Sequence, residues 1–558
     1  FGGLAHLTKN SPIFLKKNSL DHQPVGSTTY DCLNLMSAFS LSQPSLEGKG
    51  KENQMAELQA VIISIGEDAL MYPLTSPKTL PKSLLPIGGV PLLWYQLSLL
   101  RQAGFDHVLI AVEAPFREVV FKSVETYKER TAKLGALTIT LKSVEEQIGT
   151  ADTLRAISQH ITNDFLVLSG DLIIDNVVED LANVHHLNDA SVTMVLHDTK
   201  ARRKGIDGVN YIALATEDGR VLKMINDADL DGETFTLPKA LLRRRPDIMV
   251  STELVDMRMY VFSRWVIDYV VENEETISGI TEDLIPNLLH MQFRGDSMLS
   301  EGVKGRMRNS DADVRQRMAS VGSISGLTDQ RDSVSKVASS DPLEPASSSS
   351  SSSSSLLASS AASSAPPSSA SSPNATAPAS SSTSSTSSSP SIASSINQST
   401  VDDVVKCHCL VLNSETIYAA RASTVDEYIG MNNKIIMGQH APRNTPYPTN
   451  MEHLITRVGI NKRRKGTIVG EKCILPKKVL LKTSVVGSHC RIGEGAKLER
   501  CIIMDHVSIG AGAVVKDSII ASNGQIGNGC VIDKCKAGPG YIFEDDSKVS
   551  REEVDRDW

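Results

Sequence analysis

The chain has 558 residues, 41% apolar and 22% charged, with a formal net charge of −8. That is enough apolar material for two or three domains with real cores, and the acidic balance gives no global attraction for nucleic acid or an anionic membrane. The eight cysteines contain no C-x-x-C pair and no run approaches the roughly 18 apolar residues of a membrane span, so reduced thiols in a cytosolic protein are expected, without disulfides, a metal site or a membrane anchor.

In chain order, residues 1–54 carry scattered polar residues and prolines with no apolar period and are expected to be disordered or a non-native extension. Met55, directly before "AELQAVIISIG", reads as the native start. A basic, acid-poor targeting peptide is the competing reading of the same segment. From Leu58, strand-like and helix-like stretches alternate. "LQAVIISI" is a buried-strand run ending at Gly66, and "PLLWYQLSLLRQAG" has leucines at helical spacing with Gly104 as its stop. "HVLIAV" (107–112), "FLVLSGDL" (165–172) and "ASVTMVL" (190–196) read as further strands. This order predicts a Rossmann-like α/β domain over 55–300, a mostly parallel sheet with ligands beyond the carboxyl ends of its strands. Gly66, Gly149 and Asp171 fall near that edge. The basic runs at 202–204, 243–245 and 462–465 are short enough to be solvated loops.

Residues 301–403 are dominated by Ser, Ala, Pro and Thr, including an unbroken serine run at 347–355, and are expected to be a disordered linker. A connecting segment (404–466) leads to a tight internal repeat. "TIVGEKCILPKKVLLKT" (467–483), "SVVGSHCRIGEGAKLER" (484–500), "CIIMDHVSIGAGAVVKD" (501–517) and "SIIASNGQIGNGCVIDK" (518–534) are consecutive 17-residue units. Val486, Ile503 and Ile520 form one column, Ile492, Ile509 and Ile526 a second, and Leu498, Val515 and Ile532 a third; Gly493, Gly510 and Gly527 follow the second. Aliphatic residues at steps of six, six and five fit neither a helix nor one amphipathic strand. They fit a triangular coil with one inward residue per face and glycines near the turns. The pattern resembles the left-handed parallel β-helix of hexapeptide-repeat proteins, expected over 467–545 with a tail at 546–558.

The first domain can then be read by its motifs. "PLTSPKTLPKSLLPIGGVPLLWY" resembles the nucleotidyltransferase signature of sugar-nucleotide pyrophosphorylases, and "GTADTL" (149–154) and "SGDL" (169–172) are similar to two further motifs in the same order. The resemblance implies a G-x-G-[ST]-R loop whose amides and arginine hold a triphosphate, a lysine directed at phosphate or sugar, and an aspartate that binds magnesium. It implies attack by a sugar 1-phosphate on the α-phosphorus, helped by charge and positioning. Here Gly66 keeps the first glycine position, but Glu67, Asp68, Ala69 and Leu70 follow it, so two carboxylates would face a polyanion. Lys82 and Asp171 keep the lysine and aspartate positions. The F-V-E-K-P motif appears as "MINDA" (224–228), and the N-x-G loop as "VDMRMYVF" (255–262), with Asp256 and Arg258 at the Asn and Gly positions. The expected site is therefore a vestigial pocket of Gly66, Lys82, Gly149 and Asp171, with no catalytic residue, no cofactor and no metal.

A pyrophosphorylase-like domain with a damaged site, continued by a β-helix, resembles the gamma subunits of eukaryotic translation initiation factor 2B. Further similarity lies in "INDADLDGETFTLPKALLRRRPDIMVSTELVDMRMYVFSRWVIDYVVEN" and "ISGITEDLIPNLLHMQF". The resemblance implies a non-catalytic subunit that partners a catalytic epsilon-type subunit, the other subunits of the complex and the G protein that delivers initiator tRNA, in the cytosol, with no direct nucleic-acid or membrane contact. The alternative is an active sugar-nucleotide pyrophosphorylase, a transferase of NTP and sugar 1-phosphate.

Overall fold

The computed structural model describes residues 58–307, interrupted at 66–68, 76–79, 133–136, 200–209, 227–228, 231–234, 238–240, 243–244, 246, 294–298 and 306, together with 404–437, 456–457, 464–555 apart from 477, and a short strand at 13–15. The expected start at Met55 and the serine-rich tract lie outside the described residues, as do Gly66, Glu67 and Asp68.

The apolar run from Leu58 forms strand Gln59–Ser64, an interior strand of a seven-stranded sheet. Across that sheet the order is Cys407–Leu412, Val192–Asp198, Leu254–Phe262, Phe165–Ser169, Gln59–Ser64, His107–Glu113 and Thr138–Val144. All run one way except Leu254–Phe262, which is antiparallel to both neighbours. Side chains alternate across the sheet plane. Ile62, Leu166 and Leu168 face a core that includes Leu93 and Leu97 of helix Leu92–Gln102, and Val61, Ile63 and Val167 face a second core with Leu154, Val266 and Leu288. The helix after the signature ends near Gly104, whose φ of +90° suits a residue without Cβ.

Several sequence expectations are corrected, the start of the linker among them, since residues 301–305 are helical and Val303 is buried in the second core. The segment expected only to connect the domains is part of the first one. Cys407–Leu412 extends the central sheet parallel to Val192–Asp198, Ala419–Arg421 pairs antiparallel with Leu172–Ile174, and helix Val425–Met437 buries Tyr428 and Met431 in the sheet's core. Ile13–Leu15, in the segment expected to lack structure, pairs antiparallel with Ile248–Val250. The stretch "FLVLSGDL" is two strands rather than one, Phe165–Ser169 and Leu172–Ile174, because the chain breaks at Gly170 and Asp171.

The repeat forms three parallel sheets whose partners are 17 residues apart. Val486, Ile503 and Ile520 stack in the first, Ile492, Ile509 and Ile526 in the second, and Leu498, Val515 and Ile532 in the third, all buried in one interior cluster. At the turns the left-handed backbone recurs at the same interval, as at Lys472, His489, His506 and Asn523. Stacking also explains a glycine column, since a Cβ on Gly510 would lie 2.5 Å from the carbonyl carbon of Gly527. The coil continues past the expected boundary at 545, with Lys548–Ser550 and Glu553–Val554 added to two of the sheets. In its earlier coils the first face is apolar on both sides. Its outward residues Ile468, Val485, Ile502 and Ile519 join the core of the α/β domain, which fixes the prism against that domain.

Candidate functional site

The site grows from the carboxyl ends of the parallel strands, where Ile63, Ser64 and Ser169 reach the sheet edge. With Lys82, Ser83, Glu113, Thr150, Gly170, Asp171 and Arg258 they enclose a cavity of about 60 Å³. Lys82 opens a single 3-10 turn, Lys82–Leu84, set by Pro81 before it. Ser83 and Leu84 are buried beneath that turn, and the Ser83 and Ser64 hydroxyls share a 2.6 Å hydrogen bond. The following "PIGGV" closes as a two-residue hairpin with Gly88 and Gly89 both at positive φ, 60° and 83°, the turn that matches strand twist. The helix beyond the serine-rich tract grips this hairpin. Asn432 Oδ1 accepts from the Gly88 N–H at 2.8 Å, and the Tyr428 hydroxyl donates to the Pro86 carbonyl at 2.9 Å.

Gly149 caps helix Thr150–Ile157, and a Cβ there would lie 2.2 Å from the Ser278 carbonyl oxygen. That carbonyl accepts from the N–H groups of Ala151 (2.8 Å) and Asp152 (3.2 Å). These helix-start donors, the kind that hold anions elsewhere, are thus satisfied inside the protein. Thr150 Oγ1 takes the Ile280 N–H, and Asp152 accepts from Ser278 Oγ and from Arg155. The "GTADTL" stretch therefore docks the segment around Ser278.

Asp171 is buried and faces cations. The guanidinium of Arg421, also buried, donates from Nη2 to Oδ2 at 3.1 Å and from Nε to Oδ1 at 3.4 Å. Burial pushes the Asp171 carboxyl up, but Arg421, then Lys82 and Arg258, more than offset it and hold it well below the usual carboxylate range. Burial opposes the charge of Arg421 as well, and Asp171 again outweighs it, with a smaller contribution from Asp256.

Arg258 has a φ of +53° beside a register shift in its strand. This is the backbone that suits the glycine of the N-x-G pattern, kept here with an arginine whose side chain lines the cavity. Asp256 accepts from the Arg258 N–H at 2.8 Å and from the Tyr260 hydroxyl. Burial pushes the Asp256 carboxyl up, only partly offset by those bonds and by Arg421 and Arg258. In "MINDA", Asn226 ends strand Val221–Asn226 and bonds Asn210, away from the cavity lining; Asp227 and Ala228 lie outside the described residues.

The structure thus brings Lys82, Asp171 and the start of the Gly149-capped helix to one cavity. What the sequence did not reveal is Arg421. The only signal was an arginine within the short apolar stretch "IYAARA", which calls for a buried anion but does not say which. The donor set does not suit a divalent cation, since both Asp171 oxygens already accept from a guanidinium and Lys82 and Arg258 face the same carboxylate, leaving Glu113 as the other carboxylate of the lining. Among the described residues no group of three His, Cys, Asp or Glu side chains is arranged to hold a metal, and no helix is long and apolar enough to cross a membrane.

These features define a nucleotidyl transferase fold carrying a parallel β-helix. Residues 59–302 match the Nucleotidyl transferase family, and residues 463–554 match the GMPPB C-terminal domain. The chain is similar to translation initiation factor eIF2B subunit gamma of Schizosaccharomyces pombe, 31% identical over 284 residues, 49% of this chain and 61% of the relative. It is also similar to eIF2B subunit gamma of Dictyostelium discoideum, 30% identical over 38% of this chain and 53% of the relative. A mannose-1-phosphate guanyltransferase of Yarrowia lipolytica is 33% identical over a shorter stretch, 25% of this chain and 37% of the relative. The chain spans between half and two thirds of the length of the gamma subunits it matches.

Proposed function

We propose that the chain is a non-catalytic gamma-type subunit of a translation initiation factor 2B complex. It supports GDP/GTP exchange on the G protein that carries initiator tRNA by binding a catalytic epsilon-type subunit, and it works in the cytosol without cofactor. The observation that carries this reading is the match to eIF2B subunit gamma over 284 residues. The pocket supports the non-catalytic part. The carboxylate that resemblance assigns to magnesium is held by Arg421, and Arg258 adds a side chain where the pyrophosphorylase pattern has glycine. Transfer of a nucleotidyl group relies on a metal and a cationic cradle to stabilise charge on the phosphates, and here the carboxylate at the metal position is paired with Arg421 instead.

The test is co-expression of the full chain with an epsilon-type subunit, followed by exchange assays on the initiation-factor G protein. A stable complex that exchanges faster than the epsilon-type subunit alone is expected. Failure to associate would overturn the proposal. The second reading, an active sugar-nucleotide pyrophosphorylase, is favoured by the 33% match to a mannose-1-phosphate guanyltransferase. It requires that the purified chain form a nucleotide sugar from NTP and sugar 1-phosphate with magnesium, and no such product is expected.

A further inference from the structure

Arg421 and Asp171 are 250 residues apart in sequence, and the serine-rich tract lies between them. The geometry that joins them is built from the backbone outward. Arg421, Ala420 and Ala419 pair with Leu172, Ile173 and Ile174, and the Ala422 N–H donates to the Asp171 carbonyl at 2.9 Å. At the far end of the ladder the Asp175 N–H donates to the Tyr418 carbonyl at 2.9 Å, and the Tyr418 N–H to Asp175 Oδ2 at 2.8 Å. This pairing puts Arg421 beside the strand break, where its side chain reaches the Asp171 carboxylate.

We propose that the Arg421 guanidinium stands in for the divalent cation that the nucleotidyl transferase fold would place on Asp171, so that a charge belonging to the chain's own post-linker segment excludes metal from the pocket. A buried carboxylate needs a counter-charge. A divalent metal brings two positive charges and a guanidinium one, yet either neutralises a single carboxylate, and a guanidinium already bonded to both oxygens repels a metal from them. Asp256 is a poor second place for a metal, because its oxygens already accept from Tyr260 and the Arg258 N–H and the charges of Arg421 and Arg258 act on it. The ion pair also ties two distant parts of the chain together at the point where a catalytic metal would act. This inference goes beyond the role in translation and does not depend on it.

The test uses the full chain as wild type, Arg421→Met, Asp171→Asn and the Arg421→Met/Asp171→Asn double variant, each followed by thermal melting and by calorimetric titration with Mn²⁺. The wild type is expected to show no saturable heat and no change of melting temperature in millimolar Mn²⁺. Arg421→Met is expected to melt lower and to regain several degrees with Mn²⁺, through a saturable site that the double variant lacks. Saturable Mn²⁺ binding by the wild type, abolished by Asp171→Asn, would overturn the proposal, as would a folded Arg421→Met variant indifferent to Mn²⁺. Should Arg421→Met be too unstable to purify, the double variant decides. The ion pair predicts that it melts above Asp171→Asn, since both buried charges are gone, and a double variant no more stable than Asp171→Asn contradicts it.

Discussion

Asp171 shows how one residue can keep its place and change its partner. By resemblance it binds magnesium; in the fold its two oxygens accept from Arg421 in a buried pair. Removing one member of such a pair leaves the other charge unsolvated, a loss of about 3–5 kcal/mol. Asp171→Asn should therefore lower stability by that order in urea unfolding, and Lys82→Ala, at the partly exposed start of its turn, by several-fold less. A second residue-scale prediction concerns histidines buried neutral between the edge strands and helix Val178–Leu187. Burial, then His186 and His408, lower His185 to about 3. Burial, then Arg220 and Lys406, lower His408 to about 4, with Asp218 acting against them. Unfolded histidine titrates near 6.5, so between roughly pH 6.5 and pH 4 the unfolded chain binds two protons that the folded chain does not. Stability is full above that window and falls as pH drops through it, with a limiting slope of about 2.7 kcal/mol per pH unit for two groups. Urea unfolding at a series of pH values checks this, and His408→Asn should halve the slope.

At the scale of elements, the β-helix rests on columns rather than on single strands. Ile509 is 2% exposed and stacked between Ile492 and Ile526. Ile509→Asp would place a carboxylate in an apolar interior without a partner and cost several kcal/mol, read as loss of the cooperative β-helix transition in thermal unfolding. A wild-type melting curve would contradict the stacked prism. This element was legible in the sequence because its sequence period and its structural period are the same 17 residues, and every inward position repeats an aliphatic. The end of the coil was less so. Lys536 and Glu553 take the outward column that Ile502 and Ile519 hold in earlier coils, and Ala537 replaces the isoleucine of the inward column, so the apolar signal fades before the strands do. The α/β strands were legible for the same reason of continuous burial. Cys407–Leu412 was not, because its pairing with Val192–Asp198 is set by contacts more than 200 residues away, which no local period encodes.

For the whole molecule, two segments of one chain complete a single sheet, and one face of the prism is sealed onto that domain. The candidate site was half legible. Motif order brought Lys82, Gly149 and Asp171 to one region, whereas Arg421, the partner of the Asp171 carboxylate, has no motif and enters only through the fold. We propose that the nucleotidyl transferase shape persists here without its ligand chemistry. Calorimetric titration of the full chain with GTP and with GDP-mannose in the presence of magnesium tests it most directly. No saturable heat is expected from either ligand, in the wild type and in Lys82→Ala alike; micromolar binding by the wild type that Lys82→Ala abolishes would overturn this reading.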